Sequence, residues 1–95
     1  MTQQLRATAH ITEQDDAIYV AVIWSGVELD RPFTGGFRLM KGQMKLAQRL
    51  KRAIDDQQAY EDPEVVHDMN GQSYVEVRSL VLGKYMDADL KRLGY

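Results

Sequence analysis

The chain has 95 residues, with 12 Lys and Arg against 14 Asp and Glu, two histidines and no cysteine. That length leaves room for one domain over residues 1–95, and 44% hydrophobic with 27% charged residues excludes disordered, collagen-like and low-complexity classes. A formal charge of −2 announces neither nucleic acid nor membrane as the partner of the whole chain, the missing cysteines exclude a disulfide framework, a thiolate zinc site and a Cys nucleophile, and two histidines are too few for a His-rich metal site.

Met1 to Arg6 is polar, with no apolar run of signal-peptide length behind it. The longest uncharged, mostly apolar run, Ala17 to Val27, has eleven residues, where a spanning helix needs roughly 20. The expectation is a protein that stays in the cytoplasm where it is made, without a membrane partner.

Leu5, Ala7, Ala9 and Ile11 alternate with Arg6, Thr8, His10 and Thr12, which predicts a strand with one buried face. After the turn residues Gln14-Asp15-Asp16, the run Ala17 to Trp24 is apolar at every position. Ile18, Val20, Val22 and Trp24 share one face of that strand, while Tyr19, Ala21 and Ile23 share the other. A strand apolar on both faces is central, or is covered on its second side by a helix or another chain. Ser25-Gly26 then predicts a turn into a third strand, Val27 to Arg31, stopped or confined to an edge by Pro32.

Thr34-Gly35-Gly36 reads as a connection into one long amphipathic helix, roughly Leu39 to Gln58, starting as late as Gly42 or Gln43 if Gly42 weakens its first turn. At helical spacing Leu39, Gln43, Leu46, Ala47, Leu50, Ala53, Ile54 and Gln57 form one stripe; Lys41, Lys45, Gln48, Arg49 and Arg52 lie opposite. Glu61-Asp62-Pro63 ends the helical stretch. Glu64–Met69 and Gln72–Leu82 flank Asn70-Gly71, the signature of a hairpin with a type I′ turn. Asp87 is placed to cap a short helix, Ala88 to Leu93, with Gly94 at its left-handed end. The fold class predicted is α+β: an antiparallel sheet in the order β-β-β-α-β-β-α, with the long helix packed on it and a short C-terminal helix.

Charge is uneven along the chain. Arg31 to Arg52 holds seven basic residues and no acid, and Asp55 to Glu76 holds seven acids and no base. The helix thus carries cations first and carboxylates last, opposite to the macrodipole's preference. One reading is an anion site in which the Gly35 and Gly36 backbone and the helix start join the cations; Arg38, Lys41, Lys45, Arg49 and Arg52 are the candidate anion or nucleic-acid contacts. The other is a solvated helix face with i,i+4 pairs Lys51–Asp55 and Arg52–Asp56. Gly35 to Lys41 lacks the Gly-Lys-Ser/Thr ending of a phosphate-binding loop.

No catalytic constellation is legible. Aligned as a calcium loop, Asp68-Met69-Asn70-Gly71 puts Val66 and Val77 at ligand positions. Asp68 with Glu76-Val77-Arg78 echoes a nuclease strand, but an always-charged guanidinium cannot act as a base. His10 and His67 read as surface histidines, and Met40 and Met44 border the helix stripe. Tyr19, Ile23 and Trp24 are the candidate protein contacts, with Trp24 suited either to the core or to anchoring a dimer.

Three segments, Leu46–Ile54, Asp68–Val75 and Lys84–Tyr95, the last containing Asp87-Ala88-Asp89-Leu90-Lys91-Arg92-Leu93-Gly94-Tyr95, resemble parts of small uncharacterised proteins of actinobacterial phages, mycobacteriophages among them. The resemblance covers about residues 46–95 and implies a place inside an infected bacterial host; it brings no catalytic residue. The resulting expectation is a non-catalytic phage accessory protein, not an enzyme and without cofactor or metal. It would bind another protein, a host factor being one candidate, and form a homodimer; the alternative is binding of a nucleic-acid phosphate backbone through the basic helix face.

Overall fold

A computed structural model describes residues 5–57, 59–77, 79–81 and 83–95, and all side chains among these except those of residues 34, 84 and 85. Three strands, β1 (Arg6–Gln14), β2 (Ala17–Ser25) and β3 (Phe33–Met40), form an antiparallel sheet in that order. They are followed by helix α1 (Met44–Asp55), β4 (Tyr60–Glu61), β5 (Glu64–His67), β6 (Ser73–Glu76), β7 (Ser79–Leu80) and helix α2 (Lys84–Arg92). Antiparallel pairs β4–β7 and β5–β6 complete a small α+β architecture with two helices, the shorter one C-terminal, so the described residues form seven strands in three sheets and not the single β-β-β-α-β-β-α sheet expected.

Alternation sets the faces of the three-stranded sheet. Ala7 and Ala9 of β1, Ile18, Val20, Val22 and Trp24 of β2, and Phe37 and Leu39 of β3 all point to one side. Leu46, Ala47, Leu50 and Ile54 of α1 close over them, and Met86 and Leu90 of α2 join the same core. Burial of each of the Val, Leu, Ile, Phe and Met side chains among them stabilises the fold by roughly 1.5–3 kcal/mol relative to exposure. The helix stripe expected from Leu46 to Ile54 is therefore the core stripe.

Two expected elements lie elsewhere. Residues Val27 to Arg31 are not a strand, and the partners of Asp30 and Arg31 belong to β6 and its hairpin loop rather than to β2. The Asp30 N–H donates to Ser73 Oγ at 2.9 Å, and the Ser73 N–H and hydroxyl donate to Asp30 Oδ2 at 2.9 and 3.0 Å. The Arg31 N–H donates to the Ser73 carbonyl at 2.9 Å, and the Arg31 guanidinium sits 4.2 Å from the Tyr74 ring centroid and 3.1 Å from Asp68. These bonds hold the Asp30 carboxyl below its usual range, the Ser73 backbone donor first and its hydroxyl second.

The third strand lies further along the chain, in the segment read as a glycine connection and helix start. Pro32 precedes it rather than stopping it, and its carbonyl accepts the Trp24 N–H at 2.8 Å. Leu39 pairs with Ile18 as a buried strand residue. A Lys41-Gly42 turn, with Gly42 at φ 104°, then delays α1 to Met44, so the helix has 12 residues and is not the long rod expected. Its last turn ends at Asp55, and Gln57 takes the left-handed region at φ 62°. The helix end expected at Gln58, Arg78 and the last strand residue Leu82 lie outside the described residues.

The Asn70-Gly71 hairpin forms with a different turn. His67 pairs with Ser73, the Asp68 N–H reaches the Gln72 carbonyl, and only Gly71 has positive φ, 78°. Asp68 Oδ1 accepts the N–H groups of Asn70 and Gln72 at 2.9 and 3.0 Å, an Asx-type arrangement that supports the longer loop. Helix α2 starts three residues before the expected cap, with Asp87 in its first turn and Gly83 at the cap position. It ends as expected: Gly94 has φ 94°, its N–H reaches the Lys91 carbonyl and the Tyr95 N–H the Leu90 carbonyl, a Schellman motif.

Candidate interaction face

Opposite the core, the pleat places Arg6, Thr8, His10, Thr12 and Gln14 of β1 beside Tyr19, Ala21 and Ile23 of β2 and Phe33, Gly36, Arg38 and Met40 of β3. Among the described residues no helix packs on this outer face, since both helices contribute to the core side. Tyr19, Phe33 and Met40 are 38%, 58% and 57% exposed, and Ala21 and Ile23 are half-buried. The cations Arg6 and Arg38 lie on the face with His10, and the register puts no carboxylate there.

The centre of the face is shaped by β3. Val22 pairs with Gly35 and Ile23 with Phe33, leaving residue 34 as the extra residue of a bulge. Gly35 adopts φ +108°, open to glycine at little cost. A Cβ on Gly36 would stand 2.0 Å from the Val20 carbonyl oxygen and 2.9 Å from its carbon, both backbone, so only glycine fits. Two residues without side chains leave a notch of about 300 Å³ lined by Phe33, Tyr19, Ala21, Arg38 and Tyr95 besides the glycines. On its edge side the Arg38 N–H donates to Tyr95 Oη at 2.7 Å, and that hydroxyl donates to the Arg38 carbonyl at 2.8 Å. The Tyr95 ring meets Phe37 edge-on at 5.6 Å between centroids.

Of the expected protein contacts, Tyr19 and Ile23 belong to this face. Trp24 does not: it is 2% exposed, stacks obliquely on Tyr60 at 5.3 Å, and its indole N–H is buried without a partner among the described residues. Its even position in β2 puts it on the core side. Phe33, Met40, the Gly35–Gly36 notch and Tyr95 were not expected, although Phe37, Arg38, Leu39 and Met40 do alternate as a strand would.

The expected anion contacts divide between two places. Arg38 is on the outer sheet face, where its Nε donates to Tyr19 Oη at 3.4 Å, and Lys41 is in the turn before α1. Lys45, Arg49 and Arg52 lie on the exposed side of α1. The expected glycine nest does not exist, because Gly35 and Gly36 sit within β3 and not at the helix start. Arg49 is tied to Asp89 of α2 at 3.0 Å, and Asp89 also bonds Arg92. Arg49 first, with Arg92 and against some burial, holds the Asp89 carboxyl below its usual range. Arg52 borders one groove with Asp55 and Asp56.

Ser73, Asp30 and His67 occupy one corner, but the Ser73 hydroxyl is engaged by Asp30 both as donor and as acceptor. That arrangement clasps a loop and does not prepare a nucleophile. Among the described residues no group of three His, Asp or Glu is placed to hold a metal ion, and no helix is long and apolar enough to cross a membrane. Compared with known proteins, the chain matches no protein-family model, no curated protein and no solved structure.

Proposed function

We propose that the protein acts by binding another protein, without chemistry of its own, as a phage-type accessory protein in the cytoplasm of an infected bacterial host. The observation that carries this reading is the outer sheet face. Tyr19, Phe33 and Met40 stand exposed on it around half-buried Ala21 and Ile23, with both helices on the opposite side. Adjacent exposed aromatic and aliphatic groups are a usual mark of an interaction surface. A homodimer would use this same face, but two copies of a face whose charged side chains are the cations Arg6 and Arg38 would then oppose each other, which favours a different partner.

Affinity capture from an actinobacterial host lysate tests the reading. A partner retained by the wild-type chain and lost with the Phe33→Glu/Met40→Glu chain, whose circular dichroism is unchanged, is the expected result. Equal retention by both chains would remove the face from the reading. A second reading, phosphate-backbone binding, draws on Lys45, Arg49 and Arg52 sharing the exposed side of α1. It predicts a gel shift that weakens steeply with salt and disappears in Lys45→Glu/Arg52→Glu; no shift at low salt would end it.

A further inference from the structure

We infer that the Gly35–Gly36 notch receives an extended segment of an acidic partner protein, with one apolar side chain lodged between Phe33 and Tyr19 and a neighbouring carboxylate on Arg38. This rests on the protein-binding reading and adds the chemistry of what is bound.

Size comes first. A space of about 300 Å³ is at the lower limit of small-molecule pockets and suits one large side chain. Its floor is the backbone of Gly35 and Gly36, and its walls are the Phe33 ring on one side and Tyr19 with Arg38 on the other. An aromatic or large aliphatic side chain can therefore lie between these walls. The occupied edge decides the direction of approach. Tyr95 already satisfies the outward N–H and carbonyl of Arg38, so the segment crosses the face instead of adding to β3 as a further strand.

Charge then selects the partner. Arg38 is the charged group of the notch, and the face around it carries Arg6 and His10 without a carboxylate. Among the described residues the Arg38 guanidinium makes a 3.4 Å bond to the Tyr19 hydroxyl on this face, a weak contact that a carboxylate easily exceeds. A second copy of the same face would oppose cation to cation. Single-stranded nucleic acid fits less well, because Tyr19 and Phe33 lie at cross-strand levels four residues apart. That is roughly 13 Å along the strand, too far to stack successive bases, and two arginines supply little phosphate neutralisation.

Selection of displayed random short peptides on the immobilised full chain tests this, with affinities then measured by fluorescence anisotropy. The expected winners place Asp or Glu next to an aromatic residue or Leu and lose about ten-fold in affinity on the Arg38→Glu chain. They also lose affinity on the Phe33→Glu chain. Neutral or basic winners that ignore Arg38→Glu but fail on Phe33→Glu overturn the acidic partner and leave the protein-binding face standing. No enrichment, or winners indifferent to both substitutions, overturns the inference and the face together. Fluorescein-labelled oligo(dT) that binds more tightly than any peptide and is released by Arg38→Glu reassigns the notch to nucleic acid. Sedimentation showing a wild-type dimer that Phe33→Glu dissolves reassigns it to a second copy.

Discussion

The two edges of the three-stranded sheet are blocked by different means. On β1, Ala7 exchanges hydrogen bonds with the Gln57 amide, its N–H donating to Oε1 at 3.1 Å and its carbonyl accepting from Nε2 at 2.8 Å. Ala9 does the same with an ion pair: its N–H donates to Asp55 Oδ1 at 2.9 Å, its carbonyl accepts from Lys51 Nζ at 3.0 Å, and Lys51 binds Asp55 at 2.6 Å. Side chains from the end of α1 thus take the place of a missing neighbouring strand. On β3 a single phenol, that of Tyr95, occupies the Arg38 backbone pair. Unpaired strand edges invite association with other chains. The β1 edge is closed by three side chains, two from a helix packed on the core and one from just beyond its end, and the β3 edge by one side chain from beyond a short helix, next to the notch. The more lightly guarded edge borders the proposed binding face.

The largest expected effect comes from detaching β3. Gly36→Ala forces a Cβ into the Val20 carbonyl and should cost about 2–3 kcal/mol in urea denaturation. Gly35→Ala meets no atom within 4 Å and suffers only its φ of +108°, about 1 kcal/mol. Equal losses would show that the close approach at Gly36 is not what holds β3 to β2. On the other edge, Gln57→Ala should cost about 1–2 kcal/mol and speed amide exchange at Ala7, leaving Arg38 unchanged. Unaltered exchange at Ala7 would mean that the Gln57 amide does not guard it.

Acid probes the same edge. Burial opposes ionisation of Asp55, but the Lys51 hydrogen bond, the Ala9 N–H and the nearby charges of Lys51 and His10 outweigh it and hold the carboxyl below its ordinary value. A depressed folded-state pKa contributes stability that is fully present above the unfolded value of about 3.9 and is lost as pH falls through the folded value. Stability measured below about pH 4 should therefore fall more steeply for the wild type than for Asp55→Asn; parallel curves would mean that this carboxylate contributes nothing. The smallest effect is expected on β3, where Tyr95→Phe should cost about 0.5–1.5 kcal/mol and raise exchange at Arg38 alone.

The sequence made β1, β2, the buried stripe of α1 and the Gly94 ending legible, because each follows from a local pattern of one period or one special residue. The boundary between β3 and α1 was not legible. Leu39 lies seven residues before Leu46, as on a helix, and two after Phe37, as on a strand, and only pairing with Ile18 decides between them. Asn70-Gly71 announced a hairpin, but the Asp68 carboxylate chose its loop and shifted its register. Half of the outer face was visible in Tyr19 and Ile23. The rest depends on a bulge that aligns Phe33 with Ile23 and on the arrival of Tyr95 from 57 positions along the chain. Alternation put Trp24 on the opposite face from Tyr19 and Ile23 but could not say which of the two faces is buried, because both sides of β2 are apolar.

Asp30 and Ser73 are joined by three hydrogen bonds across 43 positions of sequence, so the segment between β2 and β3 is fastened at its far end to another hairpin. Covalent continuity at Val27-Glu28 is then expected to matter little once the chain has folded, because the β2–β3 ladder spans that point. A protein cleaved there should remain one particle, its two pieces held by the β2–β3 ladder and the shared core, and the pieces made separately should reconstitute when mixed.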